Sequence, residues 1–431
     1  MTEAEIESIV RSIDECPIDK KTVPQGLLDL EQHKRPSLFP WRGQFSPGFI
    51  EVMLANFAKS DDVVLDPFVG SGTTLFEAAR RSMSCYGVEI NPAAGELAKT
   101  VSFVNIPPSQ RREYFEEAYA KVKTHLGAYL EPLFTLTEGT SASEPWENCL
   151  RGLLKDVGDN RLVGNIVLNS ILRYYLARGT KSPYGFLQAF NQHKAIVEKL
   201  PYSERPCKFF LCDARSIPLG DGSIDFIITS PPYINVFNYH QNYRKIMELM
   251  GWDMLTVAES EIGSNRRNRG NRFLTVVEYS IDMFQALTEM RRLTHRNSRV
   301  VLVVGRESKV RGISFYNGQL LATLAVGGVR FDLILRQERR YVNRFGQVIY
   351  EDILHFVPNG EKPPINSVFA LDVAKYALQK ALCDVEGSVE IRDAITSAIE
   401  QCASVQRAPI FESSKATKEK VCAIETTSRK A

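Results

Sequence analysis

The chain has 431 residues, a formal net charge of +2, and 44% hydrophobic and 24% charged residues, an ordinary balance for a soluble globular protein that is longer than one typical domain. Its eight cysteines include no C-x-x-C pair, which argues against a structural zinc site and for reduced thiols. No apolar run approaches membrane-spanning length and Met1 to Glu5 lacks a signal-peptide pattern, so the chain is expected inside the cell, whereas the near-neutral net charge leaves nucleic acid open as a partner.

In chain order, residues 1–30 read as a short acidic helix and a loop turning at Pro24-Gln25-Gly26. An aromatic, turn-rich stretch from Phe39 to Gly48 precedes an apolar helix at 49–58. Asp62 to Asp66 is a β-branched strand ending on a carboxylate, followed at once by a glycine turn, Pro67-Phe68-Val69-Gly70-Ser71-Gly72-Thr73-Thr74, and by a helix through Arg81. A second strand, Ser84 to Ile90, also carries an acid at its end, and Asn91-Pro92 opens another helix. Strand, glycine turn, helix and strand make the first half of a doubly wound parallel sheet. Residues 106–205 are helical in pattern before a third acid-ended strand, Cys207 to Asp213, so they read as an insertion. Ser223 to Thr229 is a buried strand running into Ser230-Pro231-Pro232-Tyr233, the helices at 240–250 and 277–293 lead to a core strand at 298–305, and 329–336 with 350–357 form an antiparallel closing pair. Residues 366–404 are helical, and the polar tail from about 405 is expected to be flexible.

The glycine turn holds no lysine and Asp66 at its mouth would repel a phosphate, so a phosphate-binding loop is disfavoured. A cationic, phosphate-free adenosine cofactor suits the carboxylate better. S-adenosylmethionine has that chemistry, with Gly70, Ser71 and Gly72 allowing close backbone approach, Glu89 placed for the ribose hydroxyls and Asp213 for the adenine amino group. The second motif suits an exocyclic amino group, whose lone pair is delocalised into its ring. Ser230 Oγ and the Pro231 carbonyl can accept from such a group, Pro231 and Pro232 stiffen the backbone, and Tyr233 offers a flat face to a flipped base.

These motifs resemble the S-adenosylmethionine-dependent amino methyltransferases of DNA, over about residues 36–105 and 206–357. The resemblance implies a Rossmann-like α/β methyltransferase fold with an inserted helical subdomain, divided as 1–35 (N-terminal helical extension), 36–105 (cofactor half), 106–205 (inserted helices, a candidate for target recognition), 206–360 (catalytic half) and 361–431 (C-terminal helices and tail). Asp66, Pro67, Phe68, Gly70, Ser71, Gly72 and Thr73 then correspond to the family's cofactor loop, Glu89 and Ile90 to its ribose acid and neighbour, Asp213 to its adenine-side acid, and Phe45-Ser46-Pro47 to its additional cofactor motif. Ser230, Pro231, Pro232 and Tyr233 correspond to its catalytic tetrapeptide, and serine in first place resembles enzymes that methylate cytosine at N4. Adenine-N6 methylation, methylation of a guanine amino group in RNA, and non-catalytic nucleic-acid binding stand as alternatives. Double-stranded DNA is the implied partner, in restriction–modification or DNA protection, with a cognate restriction endonuclease as a second partner; no metal is required. Phosphate or base contacts are expected from Tyr239, Arg244, Arg266, Arg267, Arg269 and Arg272. For the basic aromatic stretch from Arg336 to Arg344, both a strand-edge role and nucleic-acid contact remain open.

Overall fold

The structure, a computed structural model, describes residues 2–31, 35–41, 43–130, 143–157, 160–176, 183–234, 243–264, 268, 270–342, 346–360, 368–385 and 387–416. Its frame is a seven-stranded sheet built from β1 (Val63–Asp66), β2 (Ser84–Glu89), β3 (Cys207–Leu211), β4 (Ile224–Thr229), β5 (Thr294–Gly305), β8 (Phe331–Val342) and β9 (Val348–Pro358), in the order β3-β2-β1-β4-β5-β9-β8. A separate hairpin of β6 (Glu307–Val310) and β7 (Ile313–Tyr316) turns at Arg311-Gly312, both at positive φ. The first five strands of the large sheet pair in parallel, and β9 and β8 close it in antiparallel. Leaving β1, the chain builds β2 on one side and later β4 on the other. That reversal opens a crevice at the carboxyl ends of β1 and β4, where α/β sheets bind their ligands.

Alternation along the strands separates two apolar cores. Val64, Phe226, Ile228, Val301 and Val303 face one, with Phe49, Ile50, Met53 and Leu54 of helix Pro47–Phe57 and Leu75 and Phe76 of helix Thr73–Arg80. Leu65, Ile227, Val300, Leu302 and Val304 face the other, covered by helices Leu274–Leu293 and Val368–Cys383 and by Ile6, Val10 and Ile13 of helix Glu3–Glu15. Buried on both faces, such strands read as continuous apolar runs, which is why β4 and β5 were legible.

Between β2 and β3 stand the helices Pro92–Lys99, Pro108–Leu130, Ser143–Asp156, Arg161–Leu176 and Pro183–Glu198. Arg111, 1% exposed, gathers their base by donating to the carbonyls of Ile106, Val197, Leu200 and Pro201 at 2.7–2.9 Å. Entry and exit are stitched as well: Ser203 N–H donates to Val104 O at 3.1 Å, and the Asn105 amide donates to the carbonyls of Ser203 (2.8 Å) and Arg205 (2.6 Å).

Two expectations change. Gln25–Leu28 is a helical turn capped behind Pro24, because proline suits the entry to a helix as readily as a loop. Residues 405–416 do not trail away: Ala408 and Phe411 are buried, Arg215 donates to the carbonyls of Ala408 (2.9 Å) and Pro409 (2.7 Å), and Phe411 N–H donates to Asp213 (2.9 Å). A few apolar residues in a polar stretch suffice once a buried cation needs carbonyl acceptors. No helix among the described residues is long and apolar enough to cross a membrane.

Candidate active site

Asp66 ends β1 with its side chain 1% exposed. Thr74 Oγ1 and Thr229 Oγ1 each donate to it at 2.6 Å, and Phe68 N–H donates at 3.1 Å. Burial pushes its pKa up to about 6 against those three donors. The carboxylate therefore pins the glycine turn, the following helix and the end of β4 together, and it does not line the cavity. This corrects the expectation that Asp66 faces a cofactor cation. Gly70 and Gly72 have φ of +54° and +93°, where other residues are strained. Gly72 backs onto helix Pro92–Lys99, and a Cβ there would lie 2.9 Å from Ala98 Cα. Ser71 turns away from the cavity to donate to Gln44 Oε1 at 2.5 Å.

Glu89 ends β2 facing the cavity. Its Oε2 accepts from Gly70 N–H at 3.1 Å, and its Oε1 accepts from the N–H groups of Ile90 and Asn91 at 2.9 Å each. Burial pushes its pKa to about 7, opposed by these amides and reinforced by the negative charge of Glu261.

Around these acids the crevice holds about 870 Å³, part of it open to solvent. Of the residues singled out from sequence, Phe45, Pro67, Phe68, Gly70, Thr73, Glu89, Ile90, Asp213, Ser230 and Pro232 line it together. Ser46, Ser71, Gly72, Pro231 and Tyr233, like Asp66, adjoin these residues in the chain and are not part of the lining itself. Asp213 is on the wall, but its carboxylate is already held by Arg215 Nε (2.9 Å) and Nη2 (2.7 Å) and by Phe411 N–H (2.9 Å). An adenine amino group would have to compete with a buried arginine for it, so that expected role is not supported.

Sequence reasoning missed Trp41, Gln44 and the Ser260-Glu261-Ile262 stretch, which also line the crevice. Trp41 had a local signal in the aromatic turn. It stacks on Tyr243 with centroids 5.4 Å apart and planes at 17°, and Tyr243 OH donates to Pro40 O at 2.9 Å. Glu261 had none, since a loop brings it in from beyond the clamp.

The clamp follows β4. Pro232 O accepts from Tyr279 OH at 2.9 Å, and Gly263 lies so close that a Cβ there would be 2.6 Å from Tyr233 O. The Tyr233 ring packs on Gly305 at the end of β5, where a Cβ would lie 2.9 Å from Cε2. Its hydroxyl is 3.3 Å from Ser230 Oγ and 3.4 Å from Glu351 Oε1 of β9. Glu351 is in turn paired with Arg339 of β8 at 2.6 Å.

Among the residues expected to touch nucleic acid, Tyr239, Arg266, Arg267 and Arg269 lie outside the described residues. Arg244 opens helix Arg244–Leu249 and pairs with Glu248 at 2.7 Å. Arg272 is half-buried just before helix Leu274–Leu293. The arginines of β8 are engaged within the protein: Arg336 with Ile13 O, Arg339 with Glu351 and Arg340 with Asp29.

A doubly wound sheet with an antiparallel last pair, a glycine turn after β1 and an acid ending β2 defines the Rossmann-like methyltransferase fold. A phosphate-free cationic adenosine compound fits this crevice: Glu89 offers acceptor oxygens, the glycine turn a bare backbone, and Phe45, Phe68, Ile90 and Ile262 apolar walls. Residues 21–100 match a family model described as DNA methylase, of the N6/N4 type. The type II methyltransferase M.MjaII of Methanocaldococcus jannaschii is 34% identical over 55 residues, 13% of this chain and 10% of that protein. M.BsoBI of Geobacillus stearothermophilus, also a type II methyltransferase, is 21% identical over 302 residues, so the match covers 56% of this chain and 58% of that relative. Similar solved structures include a SAM-dependent methyltransferase of Methanosarcina mazei (13% identity, TM-score 0.32, covering 72% of this chain and 98% of that one). The rRNA methyltransferase aviRa of Streptomyces viridochromogenes is another (12%, TM-score 0.29, 83% and 96%).

Proposed function

We propose that the protein methylates an exocyclic amino group of a base in double-stranded DNA, with cytosine N4 as the target. The observation that carries this reading is the meeting of the glycine turn and the clamp at adjacent strand ends, tied by Thr229 Oγ1 donating to Asp66 at 2.6 Å, so that Ser230 and Glu89 line one crevice. S-adenosylmethionine, when bound, supplies an electrophilic methyl on a sulfonium.

The chain's own residues do the rest. Glu89 accepts from the ribose hydroxyls of the cofactor, and Phe45, Phe68 and Ile90 exclude water from it. Ser230 Oγ and the Pro231 carbonyl accept from the target amino group, holding its lone pair toward the donor; alignment of this kind supplies much of the rate where no covalent intermediate is formed. The amino proton leaves to solvent after transfer. A base inside a duplex cannot reach the crevice, so it must be flipped out. Serine in first place favours cytosine; the family match in residues 21–100 accommodates adenine N6 equally. A restriction endonuclease reading the same site would be the second partner of such an enzyme.

Incubation with labelled cofactor and mixed-sequence DNA, followed by digestion to nucleosides, tests this. Label in N4-methylcytosine is expected. Label in N6-methyladenine moves the target base, and no label in any nucleoside of DNA overturns the reading.

A further inference from the structure

Ser230 must accept, not donate, if it is to hold an amino group by its hydrogen, yet a serine hydroxyl can do either. We infer that Glu351 fixes this choice, acting through Tyr233 as a positioning residue that leaves Ser230 Oγ an acceptor toward the target nitrogen. The inference rests on the amino-methylation reading of the clamp.

Three groups in a row carry it. Glu351 is 6% exposed and, ion-paired with Arg339, offers acceptor oxygens only. A hydrogen bond between it and Tyr233 OH, here 3.4 Å, must therefore use the phenol proton. The contact between Tyr233 OH and Ser230 Oγ, 3.3 Å, must then use the serine proton, because the single phenol proton is already directed to Glu351. What Ser230 Oγ has left for the crevice is lone pairs. At 3.3 and 3.4 Å both contacts are longer than a fully formed O–H···O hydrogen bond, and catalytic contacts of this kind often tighten only when substrate closes the site.

Glu351 is itself held. Arg339, 8% exposed, donates to its Oε2 at 2.6 Å, and the guanidinium lies 3.9 Å over the Phe49 ring, which packs against Phe45 of the crevice wall with centroids 5.7 Å apart. The closing hairpin thus reaches both the clamp and the wall of the cofactor crevice. Ser230 gains the acceptor character that a carboxylate or amide in its place would have intrinsically.

Glu351→Gln tests the polarity. Arg339 still requires an acceptor, so the glutamine carbonyl turns to it and the NH2 group points at Tyr233, reversing the hydroxyl row and presenting the Ser230 proton to the substrate. We expect Glu351→Gln to lower kcat about tenfold or more with cofactor Kd changed less than about twofold, and Tyr233→Phe to cost less, since it leaves the serine free to turn. In the Tyr233→Phe background Glu351→Gln should then cost less than about twofold, a non-additivity that marks residues acting in series. Wild-type kcat in Glu351→Gln, or an equal loss in both backgrounds, overturns the inference, the latter by making Glu351 a support of the hairpin alone.

A second measurement needs no turnover. The tyrosine C–O stretching band, isolated by subtracting the Tyr233→Phe spectrum, should read a donating hydroxyl in the wild type and an accepting one in Glu351→Gln. An unchanged band overturns the inference while the proposed function stands. Failure to label DNA overturns the proposed function while the band still decides the polarity.

Discussion

The amide of Gly70 donates to Glu89 Oε2 at 3.1 Å, so the glycine turn after β1 is closed onto the acid that ends β2. Two neighbouring amides, Ile90 and Asn91, hold the other oxygen, and the crevice is shaped around a carboxylate that burial pushes to a pKa of about 7.

Cofactor affinity should accordingly depend on pH. A carboxylate serves a cationic ligand and its ribose diol, so Kd for S-adenosylmethionine should rise as pH falls through about 7, approaching tenfold per unit on the acid side, and Glu89→Gln should bind weakly with a flat profile between pH 5.5 and 8. The folded-state pKa lies above the ordinary 4.5, so the contribution of Glu89 to stability has the opposite sense: it is fully present below that ordinary value and lost as pH rises toward 7. Isothermal titration across pH, paired with denaturant unfolding of the free protein, separates the two.

Gly305→Ala and Gly263→Ala should strike the clamp without touching the cofactor. The new methyls would sit 2.9 Å from the Tyr233 ring and 2.6 Å from its carbonyl, and Gly263 also has φ of +77°. Each variant should lose about tenfold or more in methyl transfer with cofactor Kd within about threefold of wild type, read by single-turnover transfer beside cofactor titration.

Arg215→Ala leaves Asp213 and Asp282 facing each other's charge with their buried cation removed, since the Arg215 side chain is fully buried between them. Breaking a buried pair from one side costs about 3–5 kcal/mol. The same change strips the donors from Ala408 and Pro409. Denaturant melting should show the loss, and limited proteolysis should cut within 405–416 first.

Trp41 supplies a crevice wall while stacked on Tyr243. Trp41→Ala should weaken cofactor binding about tenfold, because it removes both wall and stack, whereas Trp41→Phe should retain most of the affinity. The cofactor-induced change in tryptophan fluorescence should vanish in both.

The sheet and the crevice were legible because the strands β1, β2 and β4 are short apolar runs that end on polar residues, and a glycine turn leaves few backbone solutions. Side-chain direction was not legible in the same way. Asp66 looked like a ligand group because acids at strand ends point into crevices; two threonine hydroxyls, one from the distant Thr229, turn it inward. Asp213 was claimed by Arg215 two positions on, a pairing that only a bend in the chain creates. Glu351 reads as one of two adjacent acids, with Asp352, near the start of β9, and its meeting with Tyr233 depends on the pairing of Gly305 with Glu351 across β5 and β9. The tail at 405–416 carries too few apolar residues to announce that a buried arginine awaits its carbonyls.

The stitch at Val104, Asn105 and Ser203 bears on the order of assembly. β2 and β3 are sheet neighbours, Cys85 opposite Cys207, yet five α-helices stand between them among the described residues. Bringing two strands together across a loose segment of that length costs loop entropy, and it is cheaper once the segment has collapsed on itself. With its two ends hydrogen-bonded at the base, the helical segment delivers β3 to the edge of β2. Pulse-labelled hydrogen exchange should therefore find the amides of 161–176 protected before those of 207–211. Mutations in Arg111, remote from the crevice, should slow the maturation of activity more than they alter its final level.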